Sequence, residues 1–97
     1  MRIIAWKKLR QFCARYPDAE HYLRTWYRDA KMSDWKSPND IRRVYATASV
    51  VGNKRVVFNI RGNNYRLVAA VNFGLKIVYI RFIGTHKEYD KIDAATV

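Results

Sequence analysis

The sequence predicts a single α+β domain, with helices in its first half and β-strands in its second. Apolar residues recur at helical spacing up to about residue 45, whereas from Gly52 onward they alternate with a period of two between glycine and asparagine turns. The chain has 97 residues, about half of them apolar, which suffices for one core and leaves no room for a second domain. We therefore treat residues 1–97 as one domain.

Three helices are predicted in the first half. The first follows from an apolar stripe at i, i+3, i+4 and i+7, formed by Leu9, Phe12, Cys13 and Tyr16. Pro17 ends this helix and suits the first turn of a second one, which runs to about Lys31. Ser37 is a capping residue followed by Pro38 and then by an acidic residue, so a short third helix is expected to carry residues 41–45.

The second half predicts an antiparallel meander of three strands. Their predicted bounds are Arg55 to Ile60, Tyr65 to Phe73 and Ile77 to Ile83, and a further short strand is expected from Arg2 to Ala5. The register of the last two strands of the meander decides whether Arg66 and Arg81 share a face. Pairing Asn72 with Ile77 places both arginines on one face, whereas pairing Phe73 with Ile77 separates them. We expect the shared face.

The charge of the chain favours a polyanionic partner. Nineteen lysines and arginines stand against eight acidic residues, for a net charge of +11 and an isoelectric point near 10.2. Nucleic acid is the first candidate, because the release of counterions from phosphates rewards dense positive charge whatever the base sequence. A membrane surface is less favoured, because no apolar run approaches the roughly 18 residues of a spanning helix and the first eight residues do not form a signal peptide. We expect a cytoplasmic protein with no membrane association.

Several chemistries are poorly supported by the sequence. Cys13 is the only cysteine, which excludes an internal disulfide and suits a structural role in a reducing compartment. Together with His21 and His86 it makes no ligand spacing for zinc, and no phosphate-binding loop or dinucleotide motif occurs. We expect neither a metal nor a cofactor, and we assign Trp6, Trp26 and Trp35 to packing.

The exit of the last strand is the segment richest in reactive groups. Cleavage of RNA by its own 2′-hydroxyl needs a base, cations on the phosphate and an acid for the departing oxygen, and none of these has to be a metal. Arg66 and Arg81 would clamp the phosphate, because a guanidinium binds two phosphate oxygens at once. His86 would move protons, since histidine titrates near neutral pH, and Tyr89 would stack on a base or hydrogen-bond the phosphate.

Each of these residues also has an ordinary interpretation. Arg66 and Arg81 are equally well solvated residues of an exposed sheet face, and an isolated histidine after a strand, such as His86, is more often a surface or packing residue. Tyr89 is equally suited to a turn packed under the sheet. The other residues that we expect to bind RNA are Lys54, Arg55, Arg61 and Lys87, although a basic pair in a turn, such as Lys54 and Arg55, is usually only solvated.

Two segments closely resemble the HigB-type toxins of the RelE superfamily. They are residues 56–68, Val-Val-Phe-Asn-Ile-Arg-Gly-Asn-Asn-Tyr-Arg-Leu-Val, and residues 79–90, Tyr-Ile-Arg-Phe-Ile-Gly-Thr-His-Lys-Glu-Tyr-Asp. The motif Asp-Trp-Lys-Ser-Pro at residues 34–38 extends the resemblance upstream. It implies a RelE-like fold, with helices packed on one side of a twisted antiparallel sheet whose open face binds RNA. It also implies a metal-independent endoribonuclease that cuts messenger RNA on the ribosome and so inhibits translation.

The resemblance further implies partners and residue roles. A HigA-like helix-turn-helix antitoxin would neutralise the toxin and would be its only link to operator DNA. Arg66 matches a phosphate-binding arginine of RelE relatives. His86 and Tyr89 lie in the motif Thr-His-x-Glu-Tyr-Asp, where relatives place catalytic groups, and Lys87 takes its variable position. Arg81 lies a few residues before the segment in which relatives carry a catalytic arginine. The antitoxin either covers the active face or binds the basic helices, and we expect the latter.

Two other functions fit the same charge. A non-catalytic RNA-binding or ribosome-associated module would use basic and aromatic residues on a sheet equally well. A DNA-binding repressor is the third possibility. Binding modules lose affinity gradually as basic residues are removed, whereas an enzyme loses cleavage by orders of magnitude when one catalytic residue is replaced.

Overall fold

A computed structural model describes all 97 residues, as one five-stranded sheet and four helices. In chain order the elements are β1 (Arg2–Ile4), α1 (Trp6–Arg15), α2 (Glu20–Met32), α3 (Pro38–Val44), β2 (Ser49–Val51), β3 (Arg55–Ile60), β4 (Tyr65–Asn72), β5 (Ile77–Thr85) and α4 (His86–Tyr89). The strand order is β1-β5-β4-β3-β2, with β1 parallel to β5 and all other neighbours antiparallel. The predicted α+β class is confirmed.

The predicted three-stranded meander is correct in position but too small. β3 has its predicted bounds, β4 ends one residue early and β5 continues two residues further. The short first strand is also present, at one edge of the sheet. β2, at the other edge, was not predicted, because its three residues are too few to show an alternation.

The helices follow their predicted stripes, but the starts of α2 and α3 differ from the prediction. Pro17 begins a single 3₁₀ turn, Pro17–Ala19, before α2 starts at Glu20. α3 begins earlier than predicted, at Pro38, and the Ser37 side chain makes no capping hydrogen bond. The Asp40 carboxylate reaches back past Ser37 and accepts a hydrogen bond from the Lys36 N–H at 2.9 Å instead.

One face of the sheet carries α1, α2 and α3 over the main core. Trp26 packs edge-to-face on Phe58 with ring centroids 5.3 Å apart, and Trp35 stacks near the same ring. Trp6 and Cys13 lie at the edge of this core, half-buried. The assignment of the tryptophans to packing is therefore confirmed. No helix in the structure is both long enough and apolar enough to cross a membrane.

The opposite face of the sheet is partly covered, contrary to the open face that we expected. Val57 and Val68 form a small second core there with Ala94, which is 9% exposed. Residues 92–97, which we call the strap, lie over these strands, and Ile92 and Val97 pack beside the same cluster. The expected RNA-binding face thus has α4 at one end and the strap across its middle.

Candidate functional site

Arg66 is held rigidly on the strap-bearing face near the start of β4. Its side chain is 9% exposed, and its Nη1 and Nη2 donate to the backbone oxygen and the side-chain oxygen of Asn63, each at 3.1 Å. The guanidinium carbon lies 5.8 Å from the centroid of the Tyr89 ring. Arg66 forms no ion pair with any carboxylate. A fixed, uncompensated guanidinium of this kind is suited to bind an anion.

The short helix α4 brings His86 to the same end of the sheet. Thr85 caps it with a capping box: its Oγ1 accepts from the Glu88 N–H at 3.2 Å, and its own N–H donates to Glu88 Oε1 at 2.8 Å. The His86 N–H donates to the Asn64 carbonyl at 3.1 Å, in the turn that also holds Arg66. The His86 side chain is half-exposed, and its Nδ1 lies 3.3 Å from Asp90 Oδ2. The Asp90 carboxylate is thus close enough to pair with a protonated ring, and Nε2 forms no hydrogen bond within the protein.

Tyr89 joins these groups to the second core. It is the last residue of α4, half-buried, and its ring lies 6.5 Å from that of Phe82. Arg66 covers the ring from the sheet side. Tyr89 therefore packs against the second core, as its ordinary interpretation has it, and its ring also lies beside the Arg66 guanidinium. The structure brings Arg66, His86 and Tyr89 together.

Arg81 lies on the same face of the sheet as Arg66, as predicted, but a β-bulge directs its side chain to the strap. The turn has the expected pairing of Asn72 with Ile77, but Val68 pairs with Phe82 and the next residue pairs with Ile80, which leaves Arg81 as the extra residue of a β-bulge. Bulges re-aim side chains. Arg81 Nε donates to the main-chain oxygen of Val97 in the strap at 3.3 Å.

The other predicted basic residues are spread around this face. Lys54 and Lys87 are exposed, the former in the β2–β3 turn and the latter on α4. Arg55 begins β3 rather than lying in a loop, and its Nη2 donates to the Val97 carbonyl at 3.0 Å. Arg61 pairs with Asp18 at 2.7 Å, so its charge is largely compensated.

Asp18 also anchors the turn that carries Arg61. Both of its carboxylate oxygens accept a hydrogen bond from the Tyr65 hydroxyl, at 2.7 and 2.8 Å. Burial, and then the hydrogen bond to Asp18, raise the pKa of Tyr65, so its hydroxyl stays protonated and keeps donating. This contact ties the start of β4 to the turn before α2, and the same carboxylate pairs with Arg61.

A basic groove, which was not predicted from the sequence, lies between α1 and β5. The groove has a volume of about 380 Å³ and is lined by Lys8, Gln11, Phe12, Arg15, Arg81, Phe82 and Ile83. Three of these residues are basic and none is acidic. Lys8 and Arg15 are seven residues apart and so lie on one face of α1, a signal that the sequence contained. The groove extends the positive surface from Arg81 towards the helices. No group of three or more His, Cys, Asp or Glu side chains is placed to hold a metal ion.

Residues 19–92 match the family described as HigB_toxin, the RelE-like toxic component of a toxin-antitoxin system. The chain belongs to the HigB toxin family. The matched segment includes the whole β3–β5 sheet and α4, and with them Arg66, His86 and Tyr89. The resemblance predicted from the strand motifs is thus confirmed. As the toxic component of such a system, a HigB toxin has an antitoxin partner.

Curated relatives agree with this family. The chain is 31% identical over 94 residues to the mRNA interferase HigB of Escherichia coli O6:H1, covering 95% of this chain and 91% of that protein. It is 33% identical over 92 residues to the mRNA interferase toxin HigB of Escherichia coli strain K12, covering 93% and 88% respectively. The mRNA interferase HigB of Shigella flexneri matches with the same figures.

In this HigB-family chain we expect the anchoring of α4 to depend on pH through Glu88. The hydrogen bond from the Thr85 backbone N–H lowers the pKa of Glu88 below its ordinary value of 4.5. A depressed carboxyl pKa contributes stability at neutral pH, which is lost as the pH falls through the lowered value. Glu88→Gln should therefore reduce the loss of stability that acidification from neutral pH to below pH 4.5 causes. The measurement is the free energy of unfolding in urea, at neutral pH and below pH 4.5.

Glu20→Gln, which alters a surface ion pair on α2, is the matched control and should leave the acid-induced loss unchanged. Thr85→Ala removes the cap and should cost about 1 kcal/mol at neutral pH. If Glu88→Gln and the unmodified protein lose the same stability on acidification, the capping carboxylate does not anchor α4.

Proposed function

We propose that this HigB toxin is an endoribonuclease that cleaves messenger RNA and thereby inhibits translation. The observation that carries the proposal is Arg66, a buried guanidinium held by Asn63 without a carboxylate partner, next to Tyr89 and to the helix that bears His86. A fixed cation, a proton-transferring ring and an aromatic surface are what RNA cleavage at a phosphodiester requires. The names of the similar proteins, mRNA interferases, support the same activity.

The reaction that we propose is attack of the 2′-hydroxyl on the adjacent phosphorus, without a metal. The bond from the 2′-oxygen to phosphorus forms as the bond from phosphorus to the 5′-oxygen breaks, which leaves a 2′,3′-cyclic phosphate and a 5′-hydroxyl. Arg66 would stabilise the charge that develops on the non-bridging oxygens. His86 would transfer protons through its free Nε2, with Asp90 orienting the ring. Tyr89 would stack on a base or hydrogen-bond the phosphate.

The surrounding cations would bind the RNA on either side of the cut. Lys54 is exposed in the β2–β3 turn and Lys87 is exposed on α4, and Lys8 and Arg15 line the groove beside β5. Such contacts position RNA by its backbone and do not read its sequence. We propose that this basic surface also docks the toxin on the ribosome, in the cytoplasm, where it meets messenger RNA under translation.

We further propose that the antitoxin is a HigA-like helix-turn-helix protein. It would bind the basic helices and prevent entry into the ribosome, and the toxin would reach operator DNA only through it. The net charge of +11 supports an acidic contact surface on this partner.

The chemistry of the RNA ends tests the proposed reaction. We expect cleavage products from translating ribosomes to carry a 2′,3′-cyclic phosphate and a 5′-hydroxyl, because the nucleophile belongs to the RNA. A single 2′-deoxynucleotide at the cleavage position should abolish the cut there and leave other positions unaffected. Products with a 3′-hydroxyl and a 5′-phosphate would instead show attack by an activated water and would contradict the proposed reaction.

The second candidate is an RNA-binding module without catalysis, which the groove beside α1 favours. In that case RNA would bind and remain uncut under all of these conditions. Affinity would then fall in small steps as Lys8, Arg15 and Arg81 were replaced one at a time.

A further inference from the structure

Two arginines on the sheet converge on one backbone oxygen. Arg55 Nη2 and Arg81 Nε donate to the Val97 carbonyl oxygen at 3.0 and 3.3 Å. Arg55 Nε is buried and has no hydrogen-bond partner, so this guanidinium has one unsatisfied N–H donor. Neither arginine forms an ion pair with an aspartate or glutamate side chain. Two guanidinium groups that converge on one oxygen form a site that a phosphate oxygen fits, because a guanidinium makes strong charge-assisted hydrogen bonds to phosphate.

The strap that fills this site is held by few contacts. Asn53 Nδ2 donates to the Ala95 carbonyl at 2.7 Å, and the two arginines hold Val97. The strap residue buried most deeply is Ala94, a small side chain that contributes little apolar area. Ile92 and Val97, which also pack beside the second core, are only half-buried, so displacement of the strap exposes little apolar area. A ligand that binds both arginines can therefore compete with it.

We infer that Arg55 and Arg81 form a second phosphate-binding site for RNA, which the strap closes in the free protein and which the RNA opens by displacing Val97. This inference rests on the proposed function, since it assigns the site to the same RNA strand. Arg55 lies four residues along β3 from Asn59, the partner of Arg66, a distance of about 13 Å. The phosphate at this site is therefore one outside the bond that is cut. The strap competes with RNA for these two arginines, and any bound RNA must displace it.

A disulfide between the strap and the sheet tests this directly. A Cβ built on Gly52 lies 3.7 Å from the Ala95 Cβ, within the range of natural disulfides, and Gly52 has no positive φ that would oppose a side chain. The variant is Gly52→Cys with Ala95→Cys in a Cys13→Ser background. The same protein, reduced, is its own control. The probe is a short single-stranded 2′-O-methyl RNA, which cannot be cut.

We expect the oxidised form to bind this probe about 10-fold more weakly than the reduced form. In the oxidised form the strap cannot leave, so Arg55 and Arg81 stay hydrogen-bonded to Val97 and cannot bind a phosphate. The slope of log affinity against log salt concentration should become shallower by about 0.7, the value for one phosphate of a single strand. A reductant should restore both quantities. Equal affinity and slope in the two forms would show that the strap is a fixed part of the surface and would overturn the inference.

Asn53→Gly gives an independent test in the opposite direction. Asn53 has a φ of 58°, which glycine adopts freely, so the substitution removes the amide donor to Ala95 and keeps the turn. The loosened strap should raise affinity for the probe, and unchanged or weaker binding would count against the inference. Because the probe is not cleaved, these results are independent of activity: a strap effect on binding with no cleavage of messenger RNA would reject the proposed function alone.

Discussion

Replacement of Arg66 by alanine is expected to lower messenger RNA cleavage by about 10²- to 10³-fold, the usual loss when one fixed donor to a developing anionic charge is removed. Asn63 holds both terminal nitrogens of Arg66, and the Tyr89 ring lies beside it, so the guanidinium is in place before the substrate arrives. The loss should appear mainly in kcat, since the charge on the phosphate is greatest in the transition state. Single-turnover cleavage of a ribosome-bound message measures it.

Two variants separate catalysis from folding and from total charge. Arg66→Lys keeps the charge but loses the fork to Asn63, and we expect it to recover only a minor part of the activity. Arg61→Ala removes an arginine from the neighbouring turn, where it is paired with Asp18, and should change cleavage only slightly. Equal losses in Arg66→Ala and Arg61→Ala would show that only bulk positive charge matters, and Arg66 would then have no catalytic role.

Replacement of His86 by alanine is expected to reduce cleavage by about 10²- to 10⁴-fold, the contribution typical of general acid–base catalysis. Binding of uncleavable RNA should remain close to normal, because the phosphate contacts of Arg66 and its neighbours are retained. The backbone N–H of residue 86 still donates to the Asn64 carbonyl when the side chain is alanine, so α4 keeps its connection to the β3–β4 turn. Cleavage rate and RNA affinity measured on the same preparation distinguish the two effects.

The chain has one other histidine, which provides a matched control. His21 is exposed on α2, on the helical side of the molecule, and His21→Ala should leave cleavage unchanged. Asp90→Asn should reduce the rate less than His86→Ala does, because it removes the group that orients the ring and not the ring itself. Full activity of His86→Ala would remove this residue from the mechanism.

The helices and strands that could be predicted are those whose own residue pattern matches the structure they adopt. The stripe from Leu9 to Tyr16 fixes the buried face of α1, and the alternation in β3 gave that strand its observed bounds. The site around Arg66, His86 and Tyr89 was predictable because all three lie in two motifs on neighbouring strands and the helix that follows. Their proximity follows from the register of a single hairpin.

The parts that were missed depend on contacts between distant residues. Ile92, Ala94 and Val97 show neither a helical nor a strand period, and they are buried only because a second core on β3 and β4 receives them. The pairing of Arg61 with Asp18 spans 43 residues. No sequence pattern signals either contact.

The displacement of Arg81 from the predicted clamp has a similar cause. The turn register was among those expected, but one extra residue in β5 shifts the pairing beyond Ala69. A bulge is a feature of the pair of strands, and its position depends on how both pack. As a result, Arg81 shares the Val97 acceptor with Arg55.

The most direct test of the central claim is to map the 5′ ends of messenger RNA after brief induction of this protein and of His86→Ala, with and without active translation. We expect new ends within coding regions that require translation and that disappear in the variant. No new ends with the unmodified protein would contradict messenger RNA cleavage and leave an RNA-binding module as the better description.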